Sequence, residues 1–439
     1  MNDLEERLRR TLRTAARQLP PAPPELTAPR RRFRFVYPLA AAATAAATVT
    51  AAVLFAPGTP GGDGTITARP PSATAGPSRS PEVEYPPPLA EVWPDAVREI
   101  PNRLPNGKKF HALLFLDDGK LLVNTEASFE KADMLASYDL ATGETRELVR
   151  VPTLPKTTMY ASHFTTGEGR ILWVTARRDG GRHIAEIWSA PVTGGQATVL
   201  GTVDDDSRGE SGSIYNLTVA DGAAYWSKGG DGGLWRLPLD GGAPQRVPGT
   251  DGYHLYAYPW LGRPDEYAAG GEPAFGELLN FRTGERRQSG IDVREPEKVE
   301  VEDSNGQKRV VSRQDERSSW WSCGLTRCVG QQNEPEEAAV LQLRGNPERQ
   351  VIPHLSVMGP PAIALDRFVL LELKSDLASG SRMMGQVMVD LETGKTADLG
   401  LRPAEDGTFS STAFQGGDTD MYAYGLNGKI VIVNLKAIR

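Results

Sequence analysis

The chain is 439 residues long, 39% hydrophobic and 24% charged, with 46 Gly, 34 Pro and two Cys. That composition describes a folded, turn-rich protein with Pro-rich parts, and it excludes a fully disordered chain, a Cys-rich disulfide scaffold and a four-cysteine zinc site. A formal net charge of -7 provides no general basic field, so nucleic acid is not an expected partner.

The charge is unevenly placed. Residues 1–34 carry 9 Arg and 4 acidic residues, residues 35–56 carry no charge, and residues 57–439 hold the remaining 40 basic against 52 acidic. Within the first segment, Leu4, Leu8, Leu12, Ala15 and Ala16 recur at three- and four-residue steps among Arg7, Arg9, Arg10, Arg13 and Arg17. This spacing predicts a basic amphipathic helix that ends at the Pro20 to Pro24 cluster. Such a helix suits either the anionic inner leaflet of a membrane or a cytoplasmic partner docked on residues 1–20.

Phe35 to Ala56 follows, with ten Ala in 22 residues. As a helix rising ~1.5 Å per residue it spans a ~30 Å hydrocarbon layer once. Arg30, Arg31, Arg32 and Arg34 directly precede it, and basic flanks stay inside, so the N-terminus is expected in the cytoplasm and the rest outside. A cleaved leader would put Pro57 directly after the cut, and a buried helix of a soluble domain leaves the Arg cluster unexplained. A single-pass cell-membrane anchor is therefore the expectation. Residues 57–89 are rich in Pro, Gly, Ser and Thr and read as a partly extended extracytoplasmic spacer.

From residue 90 to 439 the chain consists of short β-branched or aromatic runs broken by Gly and Asp turns, with no helix-period segment. One pattern recurs: alternating apolar residues run into a Gly-containing turn and then another short strand, as in SYDLATGETREL (137–148) and VMVDLETGKTADL (387–399). The apolar residue before each turn marks the repeat: Leu140, Val192, Leu239, Phe281, Leu343, Leu391 and, in a truncated unit, Leu435. Their spacings are 52, 47, 42, 62, 48 and 44 residues. A period in the forties with four short strands per unit predicts an all-β, seven-bladed β-propeller. The long spacing is accounted for by KVEVEDSNGQKRVVS (298–312), which reads as an inserted hairpin about an Asn305-Gly306 turn. Because the last unit ends after its third strand, Ala96 to Ile100 is predicted to pair with the C-terminal strand and close the ring.

Two of these units carry a resemblance. GRILWVTARRDGGRHIAEIWSAPVTGGQATVL (169–200) and DGAAYWSKGGDGGLWRLPLDGGAPQRV (221–247) resemble repeats of TolB-like and WD40-like propellers. Those propellers often have six blades, against the seven counted here, and the resemblance implies a binding scaffold. The front of the chain, an Arg-bearing helix, a Pro break, an Arg cluster and an Ala-rich span, resembles membrane-anchored bacterial anti-sigma factors.

The sequence carries little that looks catalytic. The five His (111, 163, 183, 254, 354) are scattered without zinc-binding spacing, and the Asp204, Asp205, Asp206 loop lacks the ligand pattern of a calcium site. Gly394-Lys395-Thr396 lacks the upstream Gly of a phosphate loop, Ser211 is out of place for a nucleophile elbow, and the Asn216 sequon falls inside a predicted strand. No catalytic residue, metal or cofactor is therefore assigned. Cys323 and Cys328, on the oxidising side under this topology, are expected to form a disulfide within blade five beside Trp320 and Trp321.

Propellers bind at the mouth of the central channel, where the connections into the innermost strands converge. Those connections bring Tyr160, Tyr215, Tyr253, His254, Tyr256 and Trp320 toward one face, although such aromatics also pack between blades. The function expected is non-catalytic recognition of an envelope ligand or protein. A transmembrane sensor holding a cytoplasmic partner, and a propeller hydrolase or lyase, are the alternatives.

Overall fold

The computed structural model describes residues 84–439 except 129–130, 153–159, 180–181, 206–213, 229–231, 264–274, 292–296, 303–307, 314–320, 333–336, 358–360, 376–381, 405–408, 410 and 413–415. The basic helix, the span at 35–56 and nearly all of the spacer lie outside the described residues, as does Trp320. Among the described residues no helix is long and apolar enough to cross a membrane.

The described strands form seven blades and one separate ribbon. Strand β1 (Val97–Pro101) precedes blade 1, which is β2 (Phe110–Asp117), β3 (Lys120–Ser128), β4 (Lys131–Asp139) and β5 (Thr145–Arg150). Blade 2 is β6 (Tyr160–Gly167), β7 (Arg170–Asp179), β8 (Arg182–Pro191) and β9 (Thr198–Asp205). Blade 3 is β10 (Tyr215–Ala220), β11 (Ala223–Ser227), β12 (Leu234–Pro238) and β13 (Gln245–Arg246). Blade 4 is β14 (His254–Ala257), β15 (Trp260–Arg263), β16 (Glu277–Asn280) and β17 (Arg286–Gln288).

The ribbon β18 (Glu297–Glu302) and β19 (Lys308–Arg313) follows and, among the described residues, pairs only with itself. Blade 5 is β20 (Trp321–Cys323), β21 (Arg327–Gln332), β22 (Ala338–Leu343) and β23 (Arg349–Ile352). Blade 6 has β24 (Leu355–Ser356) and β25 (Ile363–Ala364) beside β26 (Phe368–Ser375), then β27 (Arg382–Asp390) and β28 (Thr396–Asp398). Blade 7 holds β29 (Met421–Leu426) and β30 (Lys429–Asn434), with β1 as its outer strand. The only helices are two single turns, α1 (Leu89–Val92) and the 3-10 turn Leu435–Ala437 among the described residues.

The ring closes as expected from the truncated last unit. β1 lies antiparallel to β30 from Val97 opposite Val433 to Pro101 opposite Lys429. Ahead of it, the Asp398 N–H donates to the Pro87 carbonyl at 2.9 Å and Trp93 meets Phe368 edge-on, so the incoming chain straps blade 6 before completing blade 7.

The seven-fold period has a hydrogen-bonding cause. The markers end third strands, and their N–H groups donate to the carbonyl of the turn joining the first two strands of their own blade: Leu140 to Gly119, Val192 to Gly169, Leu239 to Gly222 and Leu391 to Arg367 at 2.8–2.9 Å, and Phe281 to Pro259 at 3.3 Å. Leu435 bonds Asp420 in the same way, and in blade 5 Arg344 replaces its neighbour Leu343 as donor to Thr326. The turn that follows is also repeated. Asp139, Asn280 and Asp390 each accept from the backbone two residues on, and Gly143, Gly284 and Gly394 return to their carbonyls with φ of 73°, 76° and 72°, a region glycine enters without steric cost.

The core lies between blades. In β3, Leu121 and Val123 pack toward blade 7 while Leu122 packs toward blade 2, all with no exposed surface. Both faces of a blade are covered, so its second strand reads as a continuous apolar run, not an alternating one. Cys323 and Cys328 oppose each other across β20 and β21, are disulfide-bonded, and pack with Trp321 and Val340.

Candidate functional site

The two ends of the ring differ. At one end, first and second strands join through 118–119, 168–169, 221–222, 258–259, 324–326 and 365–367, and third and fourth strands through turns of five or six residues. At the other end the connections vary from 180–181 to 264–276, and the ribbon is inserted on the path into blade 5. Variable connections on a regular scaffold are where binding residues concentrate.

At this second end, blades 3 and 4 bring several polar and aromatic groups together. Tyr215, at the start of β10, meets the His254 ring edge-on, centroids 5.4 Å apart. His254 is 5% exposed, and its Nδ1 has no hydrogen-bond partner among the described residues. Burial lowers its pKa to about 4, leaving the imidazole neutral at pH 7.

Tyr253, one residue before, is 1% exposed among Tyr225, Leu234 and Leu261 between the blades. Its hydroxyl accepts from Arg286 Nη1 at 2.6 Å, and the Arg263 guanidinium lies 4.5 Å from its ring centroid. Both arginines, half-exposed, share the Glu277 carboxylate. Burial alone would raise the Glu277 pKa, but hydrogen bonds from Tyr253 and Arg286 outweigh it and hold it low. Burial raises the Tyr253 pKa, with the Glu277 charge adding to the shift.

The other candidates from the sequence fall elsewhere. Tyr160 opens β6 with its backbone opposite Ala176. Tyr256 lies toward the short-turn end of β14, edge-on to Phe275 at 5.4 Å, with its hydroxyl close to Gly324. Arg263, Glu277 and Arg286 were not legible as a group in the sequence. Arg263 directly opposes Glu277 only because β15 and β16 pair in that register.

No family model matches the sequence, and no curated protein does. Solved structures of propeller domains are similar to it at low scores. The propeller domain of Swd1 (Cps50) from Myceliophteria thermophila has a TM-score of 0.34 at 10% identity, covering 71% of this chain and 93% of that one. The WD40 domain of fission yeast SCAP also scores 0.34 at 10% identity, over 74% and 81%. The propeller domain of the Trilobed protease from Pyrococcus furiosus scores 0.29 at 10% identity, over 69% and 98%. The likeness is one of fold alone.

Proposed function

We propose that this protein is a membrane-anchored binding module, held by residues 35–56 with its N-terminus inside, whose extracytoplasmic propeller engages an envelope ligand or protein at the end with variable connections. The observation that carries this reading is the contrast between the two ends of the ring. One is tied down by repeated short turns, while the other presents Tyr215, His254 and the Arg263, Glu277, Arg286 group. The basic segment 1–20 supports a further step, in which occupancy outside is reported to a cytoplasmic partner.

The test is photo-crosslinking in intact cells from residues placed at Lys228, at the variable end, and at Lys395, in a short turn of blade 6. Discrete adducts from position 228 and none from 395 are expected; equal labelling, or none at either, would overturn the reading. The topology is checked with an impermeant maleimide and single Cys probes at positions 18 and 418, of which only the second should react.

A further inference from the structure

The innermost strands that wall the channel are not alike. In blades 1–3, β2, β6 and β10 run eight, eight and six residues and are half-exposed along most of their length. In blades 4–6, β14, β20, β24 and β25 have two to four residues and are mostly buried. That side is also closed at the short-turn end. A methyl group on Gly417 would sit 2.5 Å from the Tyr256 carbonyl oxygen, and the Leu365 N–H donates to Gly417 at 2.8 Å. The Asp366 carboxylate takes the Thr326 N–H at 2.9 and 3.0 Å. The longer and more exposed inner strands therefore belong to blades 1–3.

Each of those three strands is bulged, β2 twice. Register breaks between Ala112 and Leu114, between Ser162 and Thr165, and between Tyr215 and Leu217. In β6 and β10 the bulge holds a left-handed residue that is not glycine: His163 at φ 52° and Asn216 at φ 49°. Non-glycine residues held there carry strain of order 1 kcal/mol, and bulges re-aim a side chain. Asn216 spends its amide on the Leu255 carbonyl at 2.8 Å. No hydrogen bond or ion pair engages the His163 side chain among the described residues; it is partly exposed, and burial lowers its pKa. It stands neutral, with one donor and one acceptor to offer.

The chemistry of this wall is uniform. Residues 112–116, 161–166 and 215–220 include no Asp, Glu, Lys or Arg. They supply hydroxyls at Ser162 and Thr165, the imidazole of His163 and the half-buried rings of Phe115 and Phe164. Charged groups stand at the ends of β2, Asp117 at the short-turn end and Glu126 of β3, paired with His111, at the other. Between them a charged ligand meets no counter-ion, while an uncharged one with hydroxyls and apolar faces is matched on both counts.

We propose that the channel wall formed by β2, β6 and β10 binds an uncharged saccharide, with His163 as its central contact. This rests on the binding-module reading and names the ligand class. The experiment uses the full-length protein in nanodiscs, titrated calorimetrically with maltotriose, chitotriose and, as a charged control, trigalacturonate. His163→Gly is the informative variant, because glycine accepts the left-handed backbone and only the imidazole is lost.

At least one neutral trisaccharide should bind, and binding should weaken about tenfold or more in His163→Gly, the scale of a lost hydrogen bond in a desolvated site, with an unchanged or higher melting temperature. Unchanged affinity in the variant, binding of trigalacturonate alone, or binding of no trisaccharide would overturn the inference. Crosslinked adducts at position 228 without saccharide binding would sink this assignment and leave the binding-module reading standing; absence of both would remove the two together.

Discussion

Replacing Ile100 by alanine tests how the ring is held shut. Ile100 is 3% exposed, lies opposite Ile430 in the ladder between β1 and β30, and packs with Leu104, Phe110 and Ile432 between blades 7 and 1. Truncating such a side chain removes three buried carbons and leaves a void, which costs about 2–5 kcal/mol. We expect about 3 kcal/mol here, a large part of the roughly 5–15 kcal/mol that separates folded from unfolded domains. The neighbouring Glu99→Ala is the control, since its carboxylate meets Lys429 in solvent and its loss should cost under about 0.5 kcal/mol. Denaturant unfolding of the purified protein, followed by tryptophan fluorescence, measures both. Trp93, 4% exposed and packed against Phe368 on the strap that leads into β1, makes the signal sensitive to release of that strap. A loss under about 1 kcal/mol for Ile100→Ala would show that β1 contributes little burial energy, and the closure argument would fail.

Other parts of the structure make further expectations. Converting Cys323 and Cys328 to serine removes a crosslink between residues five apart, and for so short a loop the chain-entropy estimate is about 2 kcal/mol; a reductant should lower wild-type stability to the same level once the buried bond is reached. The folded His254 titrates at about 4, below the unfolded value of about 6.5, so its contribution is complete above pH 6.5 and is lost as the pH falls toward 4, when only the unfolded chain takes the proton. That loss amounts to about 3 kcal/mol, should be absent from the pH profile of His254→Gln, and is joined by a change of the same sign at His163. Gly394→Ala, with open space around the added methyl, should cost only the left-handed backbone penalty of about 1–2 kcal/mol, whereas Gly417→Ala also drives a carbon against the Tyr256 carbonyl and should destabilise clearly more in the same denaturant assay.

Period, blade number and ring closure were readable in the residues because they follow from local chemistry. A third strand must end in a turn that recovers its backbone bonds, and Asp139, Asn280 and Asp390 with their following Thr-Gly pairs write that requirement into blades 1, 4 and 6. The apolar runs of the second strands were readable too, since a blade covered on both faces needs apolar side chains on both. Only the tertiary structure decided which polar groups meet. The pairing of Arg263 with Glu277 depends on strand register, the exposure of His163 on a one-residue bulge, and the closed side of the channel on how close Gly417 and Tyr256 come across the ring. None of these leaves a periodic trace, because a shift of one residue turns a strand's side chains to the other face without changing the local sequence.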